Sequence, residues 1–172
     1  YKHLLDLRVY DPRELAKDTP LERVESHMLN GGDRNHWMSS GIMRFLVLYK
    51  FGGVYIDMDM VLLRDFKPIL GQDFAYQWGG STDFAKERRW EADCHGPCAA
   101  LLGAVKGGEF IKNCMAQLVV TPATGGTCYD EDMLGYVYAK QPFTVFPSSF
   151  FNTEWLISKT DPELSQELDK SM

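Results

Sequence analysis

Residues 43–60 read MRFLVLYKFGGVYIDMDM: an apolar run, a glycine pair, a second short apolar run and then two acids. The pattern predicts a strand over 54–56 that runs into Asp57 and Asp59. Residues two apart on an extended chain lie on one face, so these carboxylates project together, with Met58 on the opposite side. Two carboxylates so placed repel each other unless a cation lies between them or one is protonated.

A divalent cation with oxygen ligands, Mn²⁺ or Mg²⁺, is the natural partner for such a pair. It would keep open positions for phosphate oxygens, which fits a substrate whose leaving group is a diphosphate. The alternative is a solvated acidic turn at a strand end, a common chance match for an isolated Asp-x-Asp. The helix, glycines and strand that precede the acids favour a site.

The apolar run before the glycines predicts a helix from about Trp37 to Lys50. Its apolar stripe consists of Ile42, Phe45, Leu46 and Tyr49. Gly52 and Gly53 supply the positive-φ exit that ends the helix.

The remaining pattern predicts an α/β fold, a mixed sheet flanked by helices in a single domain over 1–172. The other predicted elements are a strand over 3–12 ended by Pro12, a helix from Thr19 to about Asn30, a strand over 98–105, helices over 108–119 and 129–139, a strand over 143–147 and a helical tail from Ser158. The stretch 71–97 is less periodic, and we expect a surface excursion there. Residues 121–127 predict a loop.

Composition sets the size of the domain and argues against one class of partner. The 172 residues are enough for one domain with a sizeable core, and 45% are hydrophobic. A formal net charge of −6 argues against nucleic acid as a partner. Because the chain begins with Tyr1 in mid-pattern, we expect it to be a piece of a longer protein, compatible with a larger assembly or a membrane anchor outside it.

Four cysteines leave three alternatives open. They are Cys94, Cys98, Cys114 and Cys128. An even number permits two disulfides. A zinc site built on Cys94, His95 and Cys98 has a poor ligand spacing, and buried thiols are the third alternative.

The stretch MRFLVLYKFGGVYIDMDMVLL (43–63) resembles the signature of glycosyltransferases with an Asp-x-Asp sugar-binding region. The likeness extends to the α-1,4-galactosyltransferase and α-1,4-N-acetylglucosaminyltransferase family, which LLDLRVYDPRELAKDTPLERV (4–24) also resembles. GAVKGGEFIKNCM (103–115) and VFPSSFFNTEW (145–155) are similar in position to that family's later segments.

The resemblance implies a GT-A-like, Rossmann-related fold that is incomplete at both ends of this chain. It also implies transfer of a hexose, with retention of configuration, from a UDP-linked nucleotide-sugar donor to a glycan or glycolipid acceptor. The implied cofactor is Mn²⁺ or Mg²⁺, and the implied location is the Golgi or another lumen of the secretory pathway.

Carried over by position, Asp59 binds the metal directly, and Asp57 contacts the donor ribose or sugar and the metal shell. Arg44 matches the family arginine that contacts the donor, and Gly53 and Tyr55 lie beside it in the implied donor site. The alternative for Arg44 is a surface arginine paired with a neighbour.

Asp130 and Asp132 match positions that line the acceptor and donor sugars, and Asp132 is the implied third catalytic acid. The alternative is that both are acids that stabilise a helix N-terminus. Trp155 (an acceptor contact) and Trp78 can stack on sugar faces, or they are core or rim aromatics.

The chain departs from the family pattern at several positions. Gly41 stands where the family has an acid, Cys98 where it has an asparagine, and residues 130–131 where it has Gly-Pro. The family's opening βα unit would lie before Tyr1, and its His-x-Trp element beyond Met172. The second hypothesis is therefore a catalytically degenerate domain that serves as a structural or binding subunit.

Overall fold

A computed structural model describes residues 6–23, 36–58, 60, 64–77, 97–120 and 129–147 of the chain. The helices are α1 (Pro12–Ala16), α2 (His36–Phe51), α3 (Glu109–Val120) and α4 (Tyr129–Lys140). The strands are β1 (Gly53–Ile56), β2 (Phe74–Gln77), β3 (Pro97–Ala104) and β4 (Thr144–Phe146), and a 3-10 helix covers Lys67–Ile69.

The four strands form one mixed sheet in the order β1-β3-β2-β4. Strand β3 runs antiparallel to both β1 and β2, and β4 runs parallel to β2. All eight residues of β3 are buried, because side chains cover both faces of this strand. The predicted mixed α/β architecture and the predicted buried strand over 98–105 are confirmed.

The two faces of the sheet belong to two apolar clusters. One cluster joins the helices to the face that carries Ala99 and Leu102 of β3. The other lies behind the sheet, where Phe74 and Leu101 are surrounded by partly buried side chains that include Val54. Since successive residues of β1 alternate between the faces, Tyr55 packs toward the helices.

Helix α2 and its exit follow the prediction. Ile42, Phe45 and Leu46 are buried, and Tyr49 packs partly buried against them. The chain leaves the helix through Gly52 and Gly53, whose φ angles are 69° and 103°.

A second contact fixes this exit. A Cβ on Gly52 would lie 2.8 Å from the Lys106 backbone nitrogen, so a side chain there has no room. The Gly107 N–H donates to the Tyr49 carbonyl over 2.9 Å. The turn from α2 to β1 is therefore held against the turn that follows β3.

The predicted strand over 3–12 is wrong where it can be examined, since 6–11 contains no strand. Pro12 begins a helix instead of ending a strand. The Asp11 carboxylate caps that helix by accepting from the Arg13 N–H at 2.8 Å, and a fixed φ suits proline to the first helical turn. Residues 3–5 lie outside the described residues.

The expected surface excursion over 71–97 is wrong in part, because it contains β2. Phe74, Ala75 and Tyr76 are buried in the sheet. A Cβ on Gly103, the β3 partner of Phe74, would lie 2.0 Å from the Phe74 ring. The glycine thus makes the room that the ring occupies. Residues 78–96 lie outside the described residues.

Thr19 makes the capping bond expected at the start of the predicted helix, but the described residues that follow it do not form a helix. The Leu21 N–H donates to Thr19 Oγ1 at 3.1 Å, and Glu22 accepts from the Asp18 N–H at 3.2 Å. Residues 21–23 form a turn, and the rest of this predicted helix lies outside the described residues.

The remaining elements agree with the prediction. The helices over 108–119 and 129–139 and the strand over 143–147 are confirmed as α3, α4 and β4. The predicted loop over 121–127 and the predicted tail helix lie outside the described residues. Within the described part of the chain, no helix has the length and apolarity needed to cross a membrane.

Candidate functional site

The end of β1 carries the predicted acid Asp57 and holds its backbone in place. Beyond the last paired residue of the strand, the Asp57 N–H donates to the Ala100 carbonyl over 2.8 Å. This bond extends the pairing of β1 with β3 by one residue. Because β3 is buried on both faces, the site begins on a rigid support.

Tyr55 and Asp57 lie two residues apart on an extended chain, and their side chains meet. The Tyr55 hydroxyl donates to Asp57 Oδ1 over 2.7 Å. This bond was not predicted, although the spacing that places Asp57 beside Asp59 applies equally to Tyr55 and Asp57.

Arg44 completes this group from helix α2. Its Cζ lies 4.5 Å from the centroid of the Tyr55 ring, and its Nη2 lies 3.6 Å from Asp57 Oδ1. Its side chain is only 8% exposed, so Arg44 is not a surface residue, although it does pair with a neighbour. A buried guanidinium needs compensation, and the ring face and the carboxylate both provide it. Arg44, Tyr55 and Asp57 are called the β1 cluster below.

The electrostatics of the β1 cluster keep Tyr55 a hydrogen-bond donor. Burial and the hydrogen bond to Asp57 raise the pKa of Tyr55 to about 12, and the charge of Arg44 acts in the opposite direction. The phenol is therefore protonated at neutral pH. The Asp57 side chain is 34% exposed, so a ligand can reach it from solvent.

The donor atoms of the cluster suit a divalent cation in part. Oδ2 of Asp57 has no hydrogen-bond partner among the described residues, and a carboxylate oxygen is the ligand that Mn²⁺ and Mg²⁺ prefer. The positive charge of Arg44 beside Oδ1 disfavours a cation at that oxygen. Across the described ranges, no group of three or more His, Cys, Asp or Glu side chains could hold a metal. Asp59 lies outside the described residues, so its metal role stays a prediction.

The other predicted site residues are placed only in part. Gly53 opens β1 with positive φ, and Met58 is fully exposed beside Asp57. Asp130 and Asp132 belong to the first turn of α4, where their side chains lie outside the described residues. Trp78 and Trp155 lie outside them as well. Their roles stay predictions.

Two departures from the family pattern can be examined. A Cβ on Gly41 would meet no described atom within 4 Å, so close packing does not explain this glycine. Cys98 is buried in β3, and its Sγ accepts from the Ala100 N–H at 3.4 Å.

The third cysteine alternative agrees with Cys114, a buried free thiol of α3. Burial raises the pKa of this thiol, and the charge of Asp73 acts in the same direction. A thiol held neutral in this way is a poor metal ligand and a poor nucleophile. Cys94 and Cys128 lie outside the described residues.

Comparison with known proteins gives one family match, and it covers the part of the chain that contains the β1 cluster. Residues 6–75 match the family model for a glycosyltransferase sugar-binding region containing a DXD motif. The matched range includes the whole β1 cluster and Asp59. It indicates a glycosyltransferase-type sugar-binding region and supports a glycosyltransferase. Searches of curated proteins and of solved structures found no match.

Proposed function

We propose that the chain is the donor-binding portion of a metal-dependent glycosyltransferase with a GT-A-like fold. It moves a hexose from a UDP-linked nucleotide sugar to a glycan or glycolipid acceptor, with retention of configuration. The supporting observation is the β1 cluster inside the matched range: a partly exposed carboxylate, held by a phenol and a buried arginine at the end of a rigid strand.

The charged residues of the site have different proposed roles. Asp57 accepts a hydrogen bond from a hydroxyl of the donor ribose or sugar. The accepting oxygen is Oδ2, since Oδ1 already accepts from Tyr55. Arg44 orients the donor and balances the charge of Asp57. Asp59 binds Mn²⁺ or Mg²⁺ together with Asp57. The cation, when bound, offsets the negative charge that develops on the diphosphate as its bond to the anomeric carbon breaks.

The charge of the chain supports the proposed requirement for a cation. The formal net charge is −6, and two aspartates adjoin the proposed diphosphate position. A diphosphate would be repelled from this surface unless positive charge compensates. Arg44 supplies one such charge, and a divalent cation would supply two more.

The acceptor side of the site is proposed at the start of α4. Asp132 acts there as the third catalytic acid and Asp130 contacts the acceptor together with Trp155. These assignments follow the resemblance to the α-1,4-galactosyltransferase and α-1,4-N-acetylglucosaminyltransferase family, as does the proposed location in the Golgi or secretory-pathway lumen.

Calorimetric titration of UDP in the presence and absence of Mn²⁺ tests the proposal, with the chain in the longest natural form that carries it. We expect UDP to bind only with the metal, and Asp59→Asn to abolish this binding while the protein stays folded by circular dichroism. Asp65→Asn is the matched control, because Asp65 is an exposed acid of the following turn whose carboxylate accepts from the Lys67 N–H. Metal-independent binding, or full binding by Asp59→Asn, contradicts the proposal.

Gly41 favours a second candidate function, a degenerate domain kept as a structural or binding subunit. The glycine stands where the family has an acid, and no described atom would contact its Cβ. This candidate predicts that the same titration shows no UDP binding even with Mn²⁺.

A further inference from the structure

Tyr55 contacts both charged members of the β1 cluster. Its hydroxyl donates to Asp57 Oδ1 over 2.7 Å, and its ring faces the Arg44 guanidinium at 4.5 Å. Tyr55 therefore links the two charged side chains of the cluster.

The backbone of Asp57 is fixed, but its side chain can still rotate. Its backbone is fixed through the bond from its N–H to the Ala100 carbonyl. Its carboxylate is 34% exposed, so packing alone does not select one orientation. A hydrogen bond at the carboxylate is what remains to select it.

The distances separate the contributions of Tyr55 and Arg44. The phenol bond of 2.7 Å has the usual length for a hydroxyl donor, and its acceptor is charged, which makes such a bond stronger than one between neutral groups. The Arg44 Nη2 lies 3.6 Å from the same oxygen, which is beyond hydrogen-bonding distance. Arg44 attracts the charge of Asp57, whereas Tyr55 sets the direction of the carboxylate.

We infer that Tyr55 is the positioning residue of the site, whose phenol holds the Asp57 carboxylate in the orientation that receives a hydroxyl of the nucleotide-sugar donor. The inference rests on the proposed function and deepens it. In this role Tyr55 affects donor binding through Asp57. Phenylalanine at this position keeps the ring face for Arg44 and removes the hydroxyl that bonds to Asp57.

A double-mutant cycle on UDP binding with saturating Mn²⁺ tests the inference. We expect Tyr55→Phe to weaken UDP binding about tenfold, the usual size for loss of a hydrogen bond to a charged group. Asp57→Ala weakens it at least as much, and the double variant binds no more weakly than Asp57→Ala. If the two losses multiply in the double variant, Tyr55 acts independently of Asp57 and the inference is overturned.

Tyr49→Phe is the matched control. Tyr49 loses the same hydroxyl from a partly buried ring, but it has no bond to Asp57. UDP binding by this variant should equal that of the unaltered chain. An equal loss in Tyr49→Phe and Tyr55→Phe would overturn the positioning role.

Urea unfolding without ligand distinguishes failure of the inference from failure of the proposed function. It is measured on the four proteins of the cycle: the unaltered chain, Tyr55→Phe, Asp57→Ala and the double variant. One outcome is that the unaltered chain and Tyr55→Phe bind UDP equally well while Asp57→Ala does not bind it. In that case the inference is wrong and the proposed function stands. If no form binds UDP, the proposed function fails and the unfolding cycle decides alone. Non-additive shifts of the midpoint then support the hold of Tyr55 on Asp57, and additive shifts overturn it.

Discussion

Strands β1 and β3 lie side by side in the sheet, yet they differ in burial and in charge. All eight residues of β3 are buried, whereas the four residues of β1 are only half-buried. Strand β3 carries no charged residue, whereas β1 runs directly into Asp57. The end of β1 depends on β3, because the Ala100 carbonyl of β3 accepts from the Asp57 N–H. A carboxylate can be held in a defined place at a partly exposed strand end when its neighbour is fully buried.

The largest effect on stability should follow from truncating a buried side chain of β3. Leu102 is fully buried opposite Tyr55, so Leu102→Ala should lower the free energy of unfolding by about 2–5 kcal/mol through lost burial and a cavity. Urea unfolding measures this change. Leu70→Ala removes the same atoms from a half-exposed position and should cost much less. Equal losses would refute the rigid support assigned to β3.

The next effect comes from overfilling β3. Gly103→Ala puts a Cβ 2.0 Å from the Phe74 ring and should cost about 1–3 kcal/mol of unfolding free energy. Gly41→Ala is the matched control with the opposite sign, since its Cβ meets no described atom and alanine stabilises a helix interior by about 1 kcal/mol relative to glycine. Thermal unfolding of both variants checks the contrast. A stabilised Gly103→Ala would contradict the packing of Phe74 on that glycine.

At the β1 end, removing the buried charge should affect binding more than folding. Arg44→Met keeps much of the side-chain volume but leaves Asp57 without its counter-charge. We expect UDP binding with Mn²⁺ to weaken about tenfold or more, with a small change in the unfolding midpoint because methionine tolerates the buried position. Arg13→Met, at an exposed position of α1, should leave binding unchanged. Unaltered binding by Arg44→Met would remove this arginine from the site.

The smallest effect is a pH dependence at Tyr55. Because the folded pKa of about 12 lies above the ordinary value of 10.0, the fold favours the protonated phenol. Its contribution to stability is therefore complete below pH 10 and is lost as the pH rises toward 12. Metal-free urea unfolding should show the difference between the unaltered chain and Tyr55→Phe shrinking over this interval. A difference that stays constant would mean that the phenol is not held neutral by its surroundings.

Local signals in the sequence predicted α2, its glycine exit and the strand that ends at Asp57. Periodicity of 3.6 and two positive-φ glycines are properties of neighbouring residues, so they can be read without the rest of the fold. Strand β2 escaped prediction because its four residues lie in the stretch 71–97, which is less periodic than the rest of the chain and rich in glycine, tryptophan and charge. The strand expected over 3–12 was wrong because Pro12 is as suitable for starting a helix as for ending a strand.

The candidate site was predictable in its residues but not in its contacts. The acid pair and the resemblance indicated Arg44, Tyr55 and Asp57. Whether Arg44 is buried depends on how α2 packs on the sheet, which involves residues distant in sequence. The order of the strands is equally non-local, and nothing in β1 alone indicates that Ala100 accepts from Asp57.

The pairing of β1 with β3 sets a limit on which stretch of chain can fold as a unit. The range that matches the sugar-binding region ends at residue 75, but the only partner of β1 in the described sheet is β3, at Pro97–Ala104. The loop between them must close before the Asp57 backbone has its acceptor, and such long-range pairing forms late and slowly. A fragment cut at residue 75 would expose β1 as an unpaired edge prone to aggregation. The smallest piece that can carry the site must therefore continue through Ala104.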